Sequence, residues 1–138
     1  MEIVKKMQVP ASFFYKKIID SVLYDIQDTT GRTLSESQLK NFEYVKQFNE
    51  KTRATIKIED IKLNETYAYR TSTTRNEFVA TYTIHPIDDT NCEITYSEQM
   101  KSHGTIQALN DMVTGLLLGF FKKKQFKRML QMIESSYS

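Results

Sequence analysis

The sequence contains no tryptophan, a single cysteine, two prolines and four glycines in 138 residues. One cysteine, Cys92, excludes an internal disulfide and suits a reducing compartment. So little proline and glycine excludes a collagen-like or low-complexity chain. Long hydrophobic runs are also missing. The longest near-apolar stretch, Met112 to Phe121, is about half of what a bilayer span needs. The opening Met1-Glu2-Ile3-Val4-Lys5-Lys6 lacks the apolar core of a secretion signal, so a cytoplasmic protein is expected. There are only two histidines, His85 and His103, and neither stands in a metal-ligand spacing. Gly104, Gly115 and Gly119 do not follow a strand as a phosphate-binding loop requires. The residues therefore call for no cofactor and no metal.

What is present is an ordinary globular composition, 40% hydrophobic and 26% charged, with eight Tyr and eight Phe. The length fits one domain, 1–138, able to bury a core of its own. The net charge of +2 conceals an asymmetry: Lys122, Lys123, Lys124, Lys127 and Arg128 carry five positive charges, leaving 14 basic against 17 acidic residues elsewhere. Such a block can attract anionic lipid or nucleic acid phosphates. A solvated helix face, complementing the helix dipole, is the simpler reading. No basic–aromatic interleaving of the kind that single-strand binders use accompanies it. Neither nucleic acid nor a membrane surface is therefore expected as a partner.

Periodicity gives the elements. Ile3, Met7 and Val9 alternate with Glu2, Lys6 and Gln8, a half-buried strand, and Lys5 on its apolar side suggests a sheet edge. Pro10-Ala11-Ser12 reads as a helix entry with Ser12 as N-cap. Phe14, Ile18, Val22 and Ile26 then recur at i, i+4, with Lys16, Lys17, Asp20 and Asp25 opposite, until Gly31 ends the helix. Ser35 and Gln38 have capping-box spacing for a short helix over 36–40. Five alternating runs follow: Phe42, Tyr44 and Phe48; Ala54, Ile56 and Ile58, with Ile61 out of phase as at a bulge; Tyr67, Tyr69 and Thr71; Phe78, Ala80, Tyr82 and Ile84; Cys92, Ile94, Tyr96, Glu98 and Met100. Short turn-rich spacers make these an antiparallel sheet.

A long helical pattern closes the chain from about Ile106 to Tyr137. Its first half carries Met112, Leu116 and Phe120 on one side. Phe126, Met129, Leu130, Ile133 and Tyr137 lie on roughly the opposite side. Either the helix kinks near Gly119, or its second half meets a different surface; Gly115 and Gly119 make the kink cheap, each costing up to about 1 kcal/mol against Ala.

The order strand, helix, short helix, strands, long helix gives an α+β fold with helices on one face of a sheet of six or seven strands. This layout resembles the START-like, or helix-grip, superfamily, in which a curved antiparallel sheet wraps around a long C-terminal helix. The stretches Val9-Pro10-Ala11-Ser12-Phe13-Phe14, Tyr69-Arg70-Thr71-Ser72-Thr73-Thr74-Arg75-Asn76 and Leu109-Asn110-Asp111-Met112-Val113 resemble an uncharacterised family of such domains from Gram-positive bacteria. The resemblance implies a cavity between sheet and helix and assigns no activity.

If the apolar strand faces meet the helix, the interior holds Tyr44, Tyr69, Tyr82 and Tyr96 with Glu98 beside them. Buried phenols and a buried acid need partners, as in an apolar pocket with a few polar anchors. Met112, Leu116 and Phe120 would form its apolar wall. The expected function is non-covalent binding of a small apolar or amphipathic molecule. The alternative is an interaction module or homodimer, in which Phe126, Leu130 and Ile133 dock on another subunit. Catalysis by a Glu98–tyrosine pair is a third reading, and Cys92, with no group to activate it, reads as a core residue. Arg70 and Arg75 beside Thr71-Ser72-Thr73-Thr74 read as a solvated β-surface.

Overall fold

The computed structural model describes residues 2–47, 50, 53–74, 76–102 and 124–137. Among them, six strands form one antiparallel sheet: β1 (Glu2–Met7), β2 (Glu43–Gln47), β3 (Arg53–Lys62), β4 (Thr66–Ser72), β5 (Asn76–Pro86) and β6 (Cys92–Ser102). The spatial order is β1-β6-β5-β4-β3-β2. Strands β2 to β6 follow one another as hairpins, and β1 closes onto β6, so β1 lies at an edge as Lys5 suggested. The sheet carries the helices on one face, an α+β helix-grip arrangement.

Alternation fixes which side chains face inward. Ile61–Tyr67–Tyr82–Tyr96–Ile3 make one row across five strands, and Ile58–Tyr69–Ala80–Glu98 the next. A register shift between Ile58 and Asp60 moves Ile61 back onto the inner face, which is the bulge its phase implied. On the outer face Arg70 donates to Glu59 and Glu77, both at 2.6 Å, so the arginine is held by carboxylates across three strands.

Helix α1 (Ala11–Thr30) lies across this sheet. Phe14 sits over Tyr82 of β5 and Asp25 reaches Tyr44 and Lys46 of β2. Eleven helical residues advance about 16 Å, close to the roughly 14 Å of three strand spacings, so α1 runs nearly perpendicular to the strands. Its first turn corrects the expected cap. Pro10, not Ser12, holds the N-cap place, with an extended backbone (φ −63°, ψ 150°) and a carbonyl that accepts from Phe13 and Phe14. Proline has no N–H to satisfy and its fixed φ suits that junction. At the other end Gly31 takes φ 77° and donates to the Gln27 carbonyl. The short helix is a single 3-10 turn, Glu36–Gln38, where the Ser35 N–H donates to Gln38 Oε1 at 2.9 Å.

Residues 124–135 form the described part of the last helix, α2. Phe126 stacks on Tyr96 at 4.3 Å between centroids and leans on Tyr82, Leu130 is fully buried, and Tyr137 meets Phe13 edge-on. The stripe Phe126, Leu130, Ile133 is thus packed into the chain's own core. This corrects the expectation that it docks on another subunit: the tyrosine row already supplies its apolar partner. The solvent side carries Lys124, Lys127 and Arg128, all exposed. The expected kink near Gly119, and the wall residues Met112, Leu116 and Phe120, lie outside the described residues, as does His103. No helix among the described residues is long and apolar enough to cross a membrane.

Candidate functional site

The inward rows do not fill the space they enclose. Where α1 covers β2 and α2 covers β5 and β6, a cavity of about 760 Å³ remains between them. That is within the range of small-molecule sites. The sheet contributes Tyr44 and Lys46 of β2, Ala54 and Ile56 of β3, Tyr67, Tyr69 and Thr71 of β4, Phe78, Ala80 and Tyr82 of β5 and Glu98 of β6. Helix α1 adds Ile18 and Val22 with the row Lys17, Ser21 and Asp25; α2 adds Met129, Met132 and Ile133. Ala80 explains much of the room. It stands between Tyr69 and Glu98 in one cross-strand row, and its methyl leaves open what a larger side chain would occupy.

Two polar centres stand in this cavity. At the β2 end, Asp25 accepts from the Tyr44 hydroxyl and from Lys46 Nζ, each at 2.6 Å. The pair ties α1 to the edge strand, and charge-assisted bonds of this length are the stronger kind. At the β6 end, Glu98 accepts from the Tyr96 hydroxyl at 2.6 Å. The two residues are two apart on one strand and therefore share a face. Tyr69 stands in the same cross-strand row as Glu98, with Ala80 between them.

The rings form a continuous aromatic surface. Tyr67 stacks on Tyr69 at 5.5 Å and on Tyr82 at 6.0 Å, and Tyr82 meets Tyr96 edge-on at 5.0 Å. Burial pushes every one of these phenols above its ordinary range. The carboxylate of Asp25 adds to the effect at Tyr44, and that of Glu98 at Tyr69, Tyr82 and Tyr96. At Tyr67 the neighbouring phenols, Tyr69 first, reinforce it. Phenols so placed stay protonated and act as hydrogen-bond donors. Cys92 opens β6, opposite Met7 of β1, and burial raises its thiol to about 11, an inert core cysteine. His85 is exposed near the end of β5, on the opposite strand face from the cavity-lining Tyr82.

Of the residues singled out in the sequence, Tyr44, Tyr69, Tyr82 and Glu98 line the cavity together. Tyr96 stands behind Glu98, joined to it by a hydrogen bond and covered by Phe126. Sequence reasoning missed Tyr67, whose alternation was visible, and it placed Asp25 and Lys17 on a solvated helix side. Both line the cavity instead. The row Lys17, Ser21, Asp25 adjoins the Ile18–Val22 row, so an i, i+4 search beside the apolar stripe would have found it.

Among solved structures, the fold is shared with a conserved protein from Geobacillus kaustophilus (15% identity, 98% of this chain and 95% of that one, TM-score 0.56). It is also shared with the protein MLL2253 from Mesorhizobium loti (12% identity, 100% and 99%, TM-score 0.59). A third match is norcoclaurine synthase from Thalictrum flavum in complex with dopamine and hydroxybenzaldehyde (8% identity, 95% and 86%, TM-score 0.53). Likeness at such identities is likeness of fold. No curated protein matches the chain. Residues 1–119 match one family model, and the chain belongs to that family, the Domain of unknown function (DUF3284).

Proposed function

We propose that the protein binds a small apolar or amphipathic molecule, non-covalently, in the cavity between the sheet and its two helices. The observation that carries this reading is the cavity itself: about 760 Å³ with mainly aliphatic and aromatic walls and a few polar groups at fixed places.

 Ala54 and Ala80 are small side chains where a solid core would carry larger ones, and the space above them is the cavity. The phenols are held protonated, so they donate hydrogen bonds rather than accept protons, which supports binding over acid–base chemistry. The Thalictrum synthase, alike in fold, was captured with two small aromatic molecules, and that supports a ligand of comparable kind here. With one buried thiol the chain suits a reducing, cytoplasmic setting.

Native mass spectrometry of freshly purified protein, with a thermal-shift screen of amphipathic compounds, tests the reading. A co-purifying mass of small-molecule size, or melting temperatures raised by a chemically related subset, is expected. An unliganded mass together with melting temperatures unmoved across a broad panel would defeat it.

A further inference from the structure

Two of the cavity tyrosines differ from the rest. The Tyr44 hydroxyl is committed to Asp25 and that of Tyr96 to Glu98, and Tyr69 is only partly buried. Among the described residues, no hydrogen bond reaches the hydroxyl of Tyr67 or of Tyr82. Both residues are more than nine-tenths buried, at 5% and 8% exposure, and both line the cavity. They face each other across β4 and β5 with rings nearly parallel, 24° apart and 6.0 Å between centroids. Their hydroxyl oxygens are not among the enclosed unpartnered atoms, so they open on the cavity and take their hydrogen-bond partner from whatever fills it. Two adjacent phenols without a protein partner, opening on the same cavity, point to a partner that enters from outside.

Resting on the ligand-binding reading, we infer that Tyr67 and Tyr82 form a paired donor site selecting a flat apolar molecule that carries an uncharged oxygen acceptor, such as an aryl ketone. The acceptor follows from the donors: a protonated phenol offers its O–H. The flatness follows from the stacked rings of Tyr67, Tyr69 and Tyr82, which offer a planar body aromatic faces. The lack of charge follows from the surroundings. Burial is the first cause of the raised phenols, and Glu98 adds to it at Tyr82 and Asp25 at Tyr67, so both hydroxyls stand in a negative field that opposes a carboxylate. Of the two lysines that line the cavity, Lys46 is engaged with Asp25 at 2.6 Å and Lys17 lies over the Phe13 ring.

The test uses the full chain and three probes of one ring system: acetylnaphthalene, ethylnaphthalene and naphthoate, titrated by calorimetry. One hydrogen bond is worth about fivefold in affinity, so the ketone is expected to bind about fivefold to tenfold more tightly than the hydrocarbon. It should also bind more tightly than the acid. In Tyr67→Phe and Tyr82→Phe the ketone's advantage shrinks, and in the double variant it vanishes. Ethylnaphthalene binding stays unchanged throughout, which shows that the rings and the cavity survive the substitutions. Equal binding of ketone and hydrocarbon, a preference untouched by both Phe variants, or naphthoate as the tightest probe would overturn the donor-site inference and leave the cavity reading standing. If none of the three binds, the cavity reading falls, and the inference with it.

Discussion

Replacing Leu130 by Ala asks whether α2 is held by the sheet. Leu130 is fully buried, between Phe126 on the tyrosine row and Met129 and Ile133 at the cavity edge. Truncating a buried leucine to alanine costs about 2–5 kcal/mol, the larger values arising where the surroundings cannot close in. Here Met129 and Ile133 are only partly buried and border open space, so part of the void is relieved. A loss of about 3 kcal/mol is expected. At about 2 cal/mol/K per residue, the unfolding entropy of a chain this size is roughly 0.3 kcal/mol/K, so the melting temperature should fall by about 10 °C. Met132, on the same helix but 71% exposed, supplies the comparison: Met132→Ala should cost no more than about 0.5 kcal/mol. Urea denaturation of both variants, at two protein concentrations, gives the answer. Near-equal stabilities for the two variants would refute the docking of α2 on its own sheet. A Leu130→Ala loss that depends on protein concentration would restore the reading in which this stripe joins subunits.

Tyr44→Phe removes the hydroxyl that Asp25 accepts, and should cost about 1–2 kcal/mol in urea denaturation, as expected for a hydrogen bond to a charged group; no change would mean that the α1–β2 tie contributes nothing. Alkali should destabilise the protein. Burial raises the Cys92 thiol from 9.0 to about 11 and pushes the phenols of Tyr44, Tyr67, Tyr69, Tyr82 and Tyr96 above their usual 10.0. Above about pH 9 the unfolded chain therefore releases protons that the native state keeps, and stability falls as pH rises. Urea midpoints measured from pH 8 to 11 should drop steadily, and a flat or rising series would contradict the burial of these groups. Cys92 should likewise resist thiol reagents at pH 8 until the chain is unfolded, whereas prompt modification of the native protein would place it at an accessible site.

The strands were legible because their period is two: once one apolar residue faces inward, every second neighbour follows, and Tyr44, Tyr69, Tyr82 and Glu98 are placed together without reference to distance. Even the bulge showed, because Ile61 broke that phase. Helices are harder to read. Asp25 and Lys17 lie beside the apolar stripe of α1, and a polar group facing a cavity has the same sequence signature as one facing solvent. Only the inward placement of Tyr44 and Lys46 on β2 makes Asp25 an interior partner, and that is a tertiary fact. The stripe of Phe126, Leu130 and Ile133 invites docking on another subunit as the alternative reading, because it lies on roughly the opposite side of the helical pattern from Met112, Leu116 and Phe120. Small phase errors accumulate along such a length, and the tyrosine row that receives Phe126 lies some thirty to sixty residues away in sequence, a pairing that local periodicity does not reveal. Ser12 was misplaced for a local reason: a hydroxyl one residue inside the helix was weighed above the fixed φ of Pro10.

The space above Ala80 is the point on which the functional account rests, and filling it is the most direct trial. Fluorescence titration with the uncharged probe N-phenylnaphthylamine should show saturable binding at one site per chain. Ala80→Leu, which puts a larger side chain between Tyr69 and Glu98, should weaken it about tenfold or more, and Thr71→Phe from the neighbouring row should do the same. Both variants should keep a cooperative melt. Probe binding that is absent in the unmodified protein, or that persists undiminished in both filled variants while they remain folded, would contradict the account.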